Sequence, residues 1–350
     1  MKILIVSILI FLSSIAQASR ALIKNYQSFY HSDSLASYLL IPTLMDIGKD
    51  QILIESGLTT ATSMTNGAAF VGQMALKESW LVLLSVGAQN DLVGSARARF
   101  NSENSTTYKL MQNPLNLYLA YKFWGQSVVV GVSRSEFKDK LTTETEKAYT
   151  TTLGYRYGLF HLDLHFTNAD HVKTAAGDEL NTEQPLQFVG LYELDSAELA
   201  FKYDSYFQKQ KVSSVENSSV DRQIVQISYF DMSRIQDIQF NYRLEYFSHT
   251  VKNKISNEVN RVNYFPVTLG FQSGITDWLN FIGTVKQPLF INQGSGVLNL
   301  DNATTVVIGT EFKYKDAQVD AILTGLSGGT APASIDGNSL LGQVSLTYKY

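Results

Sequence analysis

From about residue 51 onward, apolar and polar residues alternate one by one rather than at the spacing of a helix. In one such run Phe240, Tyr242 and Leu244 share a face, while Asn241 and Arg243 share the other. A period of two is typical of strands with one apolar face. The pattern predicts 16 strands, at residues 51–62, 68–76, 79–89, 113–123, 127–136, 148–157, 159–167, 185–194, 197–208, 221–230, 236–249, 264–274, 278–287, 303–314, 317–325 and 339–350.

The connections between these segments alternate between short and long. Residues 124–126 and 275–277 are short connections, whereas residues 90–112 and 209–220 are long and polar. Transmembrane barrels show this asymmetry, with tight turns at one end and longer loops at the other. The prolines fit this assignment, because proline lacks the ladder donor and belongs at strand starts or in loops. In this assignment Pro42 precedes the first strand, Pro114, Pro185 and Pro266 begin strands, and Pro288 and Pro332 lie in long loops.

The polar rows carry full charges, and this determines what the two faces contact. In hydrocarbon every backbone amide needs a partner, so a sheet spans a membrane only if it closes on itself. We therefore predict an all-β fold, a transmembrane antiparallel up-and-down β-barrel of about 16 strands, with 14 as the alternative because residues 51–76 give the weakest strand signals. The residues predicted to line its lumen are Lys122, Arg156, His161, Asp163, His165, Lys202, Asp204, Arg222, Arg243, Glu245, Lys286, Glu311, Lys313 and Asp320.

Composition agrees with apolar residues that are spread out rather than grouped in blocks. Charged residues make up 17% of the chain and aromatic residues 12%, with a mean hydropathy of -0.05. The absence of cysteine excludes disulfides and thiolate metal sites. A formal net charge of -4 does not suggest nucleic acid as a partner.

The N-terminus has the pattern of an export signal. Lys2 precedes an apolar run over residues 3–15, which is followed by a small-residue cleavage pattern ending at Ala18. We interpret residues 1–18 as a cleaved signal peptide. Residues 19–50 form an N-terminal extension with helix-like apolar spacing, either a plug in the lumen or an arm along it. Residues 51–350 then form the barrel, which is expected in a bacterial outer membrane.

The last strand ends in an apolar row opposite a polar one. Val344, Leu346, Tyr348 and Tyr350 form the apolar row. This row resembles the C-terminal assembly signal of Gram-negative outer-membrane β-barrels of the porin-like class. The resemblance implies that the barrel assembly machinery reads these residues, and that outer-membrane lipid and lipopolysaccharide surround the barrel; a homo-oligomer is left open. In general porins a long inward loop with a Pro-Glu-Phe-Gly type motif follows the fifth strand, whereas residues 137–147 here are short and lack it.

Two other groups of residues are candidates for chemistry. His161, Asp163 and His165 share one face of a strand, where an H-x-H pair can chelate a metal ion, but a polar lumen wall is the simpler interpretation. Arg97 and Arg99 lie in a long connection, where they could contact lipopolysaccharide or fold inward; a solvated loop is the simpler interpretation. No nucleotide-binding or esterase motif is present, so we predict no catalytic residues, metal or cofactor.

A lumen of about 16 strands is too wide for side chains alone to fill. We therefore expect a porin-like channel, not an enzyme, for passive diffusion of small polar solutes with weak ion selectivity. One alternative is a transporter of hydrophobic substrates in which residues 19–50 form a hatch. Another is a structural or adhesive surface barrel.

Overall fold

The computed structural model describes residues 37–45, 50–57, 65–88, 91–104, 106, 108–195, 197–235, 238–292, 304–327 and 343–349. The predicted signal peptide, most of the predicted extension, Pro332 and Tyr350 lie outside these ranges.

In these ranges, sixteen strands follow a short N-terminal segment made of helix α1 (Ser37–Leu40) and a 3₁₀ turn (Pro42–Leu44). A second helix, α2 (Asp91–Asn104), lies between the third and fourth strands. The strands are β1 (Gln51–Gly57), β2 (Thr65–Lys77), β3 (Trp80–Ala88), β4 (Leu115–Phe123), β5 (Gln126–Lys138), β6 (Thr145–Tyr157), β7 (Phe160–Lys173), β8 (Glu179–Glu193), β9 (Ala197–Val212), β10 (Val215–Ile235), β11 (Ile238–Asn253), β12 (Val259–Thr276), β13 (Leu279–Asn292), β14 (Thr304–Tyr314), β15 (Ala317–Ser327) and β16 (Gln343–Lys349).

Each strand pairs antiparallel with its neighbours in the chain, and β1 pairs with β16, so the sheet closes into a barrel. The closing ladder runs from Gln51 opposite Lys349 to Gly57 opposite Gln343. The predicted antiparallel up-and-down barrel is confirmed. None of the described helices has the length and apolar character needed to cross a membrane.

The two faces of the sheet divide as the alternation predicts. On β4, Leu115, Leu117 and Leu119 are 40–45% exposed, whereas Asn116 and Tyr118 are 0% exposed. The same division separates Leu244, which is 37% exposed, from Arg243, which is 2% exposed. Apolar side chains therefore cover the outside of the barrel, and polar ones point inward along most strands.

Aromatic side chains concentrate at the end of the barrel that carries the short turns. Trp80 packs against Tyr121 with ring centroids 4.6 Å apart, and Trp278 stacks with Phe312 at 6.2 Å. Tyr348, in the predicted assembly signal, is 46% exposed and pairs with Ile52 of β1. Rings with an apolar body and a polar edge favour the boundary between lipid and water.

The wall is taller on one side than the sequence indicates. Strand β10 has 21 residues and β12 has 18, whereas β1 has seven. The predicted long loop at residues 209–220 is instead a hairpin that turns at Ser213 and Ser214, both with positive φ. Strands that project beyond a membrane meet water on both outer and inner faces, so the alternation disappears there and the sequence resembles a loop.

Two proline assignments change as a result. Pro185 lies inside β8 rather than at its start, at a shift in register between Glu183 and Leu186. Pro288, predicted in a loop, lies in β13 directly opposite Pro266 of β12. The β8 position accommodates a missing ladder donor because the pairing there is already irregular.

Candidate functional site: the occupied lumen

Residues 37–45, which we call the plug segment, lie inside the barrel near the short-turn end. They contact β5, β6 and β7. Ile41 and Leu44 are at most 2% exposed. Their apolar partners on the inner wall include Leu53, Val71, Leu81, Leu83 and Val129. Part of the lumen is therefore an apolar core rather than the wet space that the sequence predicts.

The His161, Asp163 and His165 row on β7 holds the plug segment. Thr43 donates its backbone N–H to Asp163 Oδ1 at 3.3 Å and its hydroxyl to Oδ2 at 2.5 Å. His161 Nδ1 lies 3.2 Å from Thr43 Oγ1, and His165 Nε2 lies 2.8 Å from the carbonyl oxygen of Leu40. Because one nitrogen of each ring contacts the plug segment, the row acts as a dock for the N-terminal segment. In the described residues, no group of three or more acidic or histidine side chains is arranged to hold a metal ion.

A glycine on β6 leaves room for this dock. A Cβ atom at Gly154 would lie 2.4 Å from Asp163 Oδ1 and 2.6 Å from Thr43 Cγ2. Contacts under 3.0 Å force something to move, so any side chain here competes with the plug segment. By contrast, a Cβ atom at Gly190 of β8 would approach Phe188 only to 3.7 Å, an ordinary contact.

Helix α2 fills the lumen near the opposite end, where the long connections lie. Its Arg97 is buried and pairs with Asp170 of β7 and with Glu146 of β6, the latter at 3.1 Å. Arg97 also donates to the carbonyl oxygens of Lys109 at 3.2 Å and Lys147 at 3.4 Å. Residues 91–104 are therefore not the solvated loop that the sequence predicts. The Arg97 guanidinium joins the helix to β6, to β7 and to the segment that leads from α2 to β4.

Two further contacts join α2 to the tall wall. Arg222 of β10 lies 2.5 Å from Glu103 and also donates to Gln208 of β9 at 2.9 Å. Gln208 in turn donates to the carbonyl oxygen of Ala96 at 3.1 Å.

The chain returns from α2 to β4 through a segment that is itself fixed. Asn101 donates to the carbonyl oxygen of Tyr108 at 2.7 Å and accepts from its N–H at 2.9 Å. Gln210 donates to Tyr108 Oη at 3.1 Å. Burial raises the pKa of the Tyr108 phenol, so the group that accepts this bond stays neutral.

From mid-height to the short turns, the described inner face of β10–β14, which we call the polar wall, is lined mainly by hydrophilic side chains. At mid-height Arg243 pairs with Glu245, and Gln226 donates to Glu245 at 2.5 Å. Toward the short turns Glu311 accepts from Asn280 at 2.6 Å and pairs with Lys313 at 2.7 Å. A cavity of about 460 Å³ opens there, lined by Arg234, Gln239, Gln272, Gly274, Ile275, Thr276, Asp277, Asn280 and Lys313.

The structure places the predicted lumen residues at different depths. Buried ones are His161, Asp163, His165, Lys202, Asp204, Arg222, Arg243, Glu245 and Glu311. Arg156 and Lys286 are half-buried, and Lys122 and Lys313 are exposed near the short turns. Asp320 lies in β15 opposite Glu311 and Ser345. Because the charges at mid-height are buried, the lumen is narrow at that level rather than wide throughout.

Sequence reasoning missed the inner apolar row and the position of α2. A signal for the first existed, because β3 is apolar on both faces from Leu81 to Leu84, as in strands buried on both sides. The only sequence signal for the position of α2 was the charges in residues 90–112, since the partners of Arg97 lie 49 and 73 residues away.

No protein-family model and no curated protein matches the chain. Among solved structures, it is similar to the FrpB iron transporter from Neisseria meningitidis, at 10% identity and a TM-score of 0.45, covering 88% of this chain and 58% of that one. A loop-deletion mutant of OmpT, an outer membrane protein of Vibrio cholerae, is also similar, at 10% identity and a TM-score of 0.44, covering 86% of this chain and 98% of that one. The outer membrane channel DcaP of Acinetobacter baumannii is similar at 9% identity and a TM-score of 0.41, covering 86% of this chain and 94% of that one. This chain thus spans less than two thirds of FrpB. The functional assignment depends on the chain's own geometry.

Proposed function

We propose that the chain is an outer-membrane channel for small polar solutes, narrowed by the plug segment and by α2. It carries out no chemical step, and passage depends on the width and the charges of the lumen. The observation that carries the proposal is the polar wall, because the main contacts of the plug segment are with β5, β6 and β7 and leave this part of the described barrel uncovered.

The outer surface supports a membrane location. Half-exposed or exposed Leu, Val and aromatic side chains form a band around the outside of the barrel. Soluble proteins rarely expose so large a contiguous apolar surface to water. The aromatic residues gathered at the short-turn end match one interface of such a band. Backbone pairing within a closed barrel satisfies the amides that hydrocarbon leaves without partners.

Charge inside the barrel favours polar over hydrophobic solutes. A transporter with an N-terminal hatch needs an apolar pocket next to the hatch. Here the apolar inner residues already pack against the plug segment, and the level above it holds the ion pairs of Arg97 and Arg222. A hydrophobic solute would have to pass these charges without compensating them.

Conductance in planar bilayers tests the proposal. We expect the full chain to give small steps and a variant lacking residues 37–45 to give larger ones, because the deletion empties the lumen beside the polar wall. A Leu141→Ser variant is the control, since Leu141 is 94% exposed in the turn between β5 and β6. If the deletion variant assembles in the membrane but gives no steps, the channel assignment is wrong.

The tall wall favours one other function, a surface barrel that engages an external partner. Strands β9 to β12 have 16 to 21 residues, more than the roughly 9–11 that span a membrane. Shortening the hairpin at Ser213 and Ser214 would abolish attachment under that hypothesis while leaving conductance unchanged.

A further inference from the structure

A group of polar side chains lies between α2 and the wall formed by β9, β10 and β11. Arg99 belongs to α2, Tyr206 to β9 and His249 to β11. On the wall, Tyr206 is opposite Arg222 and His249 is opposite Ile224, so the two side chains are separated by a single strand. Arg99 lies over the Phe247 ring at 5.7 Å. The His249 ring packs against the same phenylalanine at 6.5 Å, and Tyr206 belongs to the buried cluster that contains it.

These groups have hydrogen-bonding capacity that the described part of the chain does not use. Tyr206 is 3% exposed and His249 is 0% exposed. The Tyr206 hydroxyl, both ring nitrogens of His249 and Arg99 Nε make no hydrogen bond to described residues. Buried polar atoms almost always have partners, so four together indicate a missing ligand.

The charge balance shows what kind of ligand would fit. Two acidic residues are near Arg99, and both are already engaged. Glu103 pairs with Arg222 at 2.5 Å, and Asp204 lies 3.6 Å from Lys202 and accepts from Gln187 at 3.0 Å. Within the described residues Arg99 forms no ion pair. The group of side chains therefore has one positive charge in excess, on the half-buried Arg99, and an anion beside it would be stabilised.

We infer that Arg99, Tyr206 and His249 form a subsite for a small oxyanion, a carboxylate or a phosphate. The inference rests on the proposed channel function, for which it names the class of solute. A guanidinium, a phenol and an imidazole N–H are all donors that suit anionic oxygens. The surrounding apolar cluster of Ala96, Ile224 and Phe247 limits the ligand to a small one.

Titration calorimetry on the refolded full chain in detergent tests the subsite without requiring conductance. The probes are succinate and inorganic phosphate, with glycerol as a neutral control. We expect Arg99→Gln to weaken oxyanion binding about tenfold, the value of one charge-assisted hydrogen bond. The control Arg134→Gln should leave binding unchanged, because Arg134 also lies over a tyrosine ring but is 61% exposed and outside the lumen.

Tyr206→Phe provides a second variant that leaves the fold intact, since it removes only an oxygen that bonds to none of the described residues. We expect a smaller loss of affinity, with unchanged assembly and unchanged thermal unfolding. Binding of succinate alone or of phosphate alone supports the subsite and identifies the oxyanion.

The two proposals fail separately. Binding that depends on Arg99 in a chain that gives no conductance, even without residues 37–45, would retain the subsite and reject the channel. A conducting chain that binds neither probe, or binds them equally well after Arg99→Gln, would retain the channel and reject the subsite.

Discussion

The two ends of the lumen are filled by different physical means. Near the short turns, the plug segment packs apolar side chains against an apolar wall and adds hydrogen bonds to one carboxylate, Asp163. Near the long connections, α2 is held by buried ion pairs through Arg97 and Arg222. Apolar packing is non-directional and its contribution scales with the area in contact, so a segment held in this way can shift with a gradual loss of stability. A buried charge that loses its partner is, by contrast, strongly destabilising. We therefore expect the plug segment to be the movable part and α2 to be the fixed part.

Arg97→Met tests the fixed part and should have the largest effect. It leaves Glu146 and Asp170 buried without their common cation, so we expect a loss of about 3–5 kcal/mol. Urea unfolding of the barrel in lipid vesicles measures the change. Arg134→Met is the matched control, because its ion pair with Glu136 is exposed to solvent and should contribute little to stability. Equal losses in the two variants would contradict the fixed role of α2.

Gly154→Val tests the movable part and should have an intermediate effect. The new side chain would overlap Asp163 and Thr43, at a cost of about 1–3 kcal/mol if the plug segment stays in place. Because that segment can leave, we expect it to undock and the channel conductance to rise. Gly190→Ala is the control, since a Cβ atom there meets only an ordinary contact. A barrel that is destabilised without any rise in conductance would show that the segment does not move.

Thr43→Val should have the smallest effect of the three. It removes the hydroxyl donated to Asp163 but keeps the backbone N–H, so the carboxylate retains one donor. We expect a loss of about 0.5–1.5 kcal/mol in docking of the plug segment, with the barrel itself unchanged. Protease cleavage of the N-terminal segment in intact membranes, compared with unfolding of the barrel, separates the two contributions. Cleavage as slow as in the parent chain would show that this hydrogen bond is not needed.

The same contrast explains what could be predicted from the sequence. The strand count and the face of each residue follow from local alternation, as for Leu244 and Arg243, because a closed sheet gives its two faces different surroundings. Strand ends beyond the membrane carry no such signal, so the hairpin at Ser213 and Ser214 resembles a loop. The docking of Thr43 on Asp163, 120 residues away, depends on closure of the whole barrel and has no local signature. The sequence singles out His161 and His165 as an H-x-H pair, but it gives no indication of what they contact.

A disulfide between Thr43→Cys and Gly154→Cys is the most direct test of the occupied lumen. The chain has no cysteine of its own, and a Cβ atom at position 154 would lie 2.6 Å from Thr43 Cγ2. A bond between the two sulfurs replaces this overlap, and a small shift of the plug segment brings the pair to disulfide geometry. As a positive control, Ser127→Cys and Arg156→Cys join facing positions of β5 and β6. In intact membranes under mild oxidation we expect both pairs to cross-link, and reduction of the 43–154 bond to raise conductance. If the control pair cross-links and the 43–154 pair does not, the plug segment does not occupy the lumen.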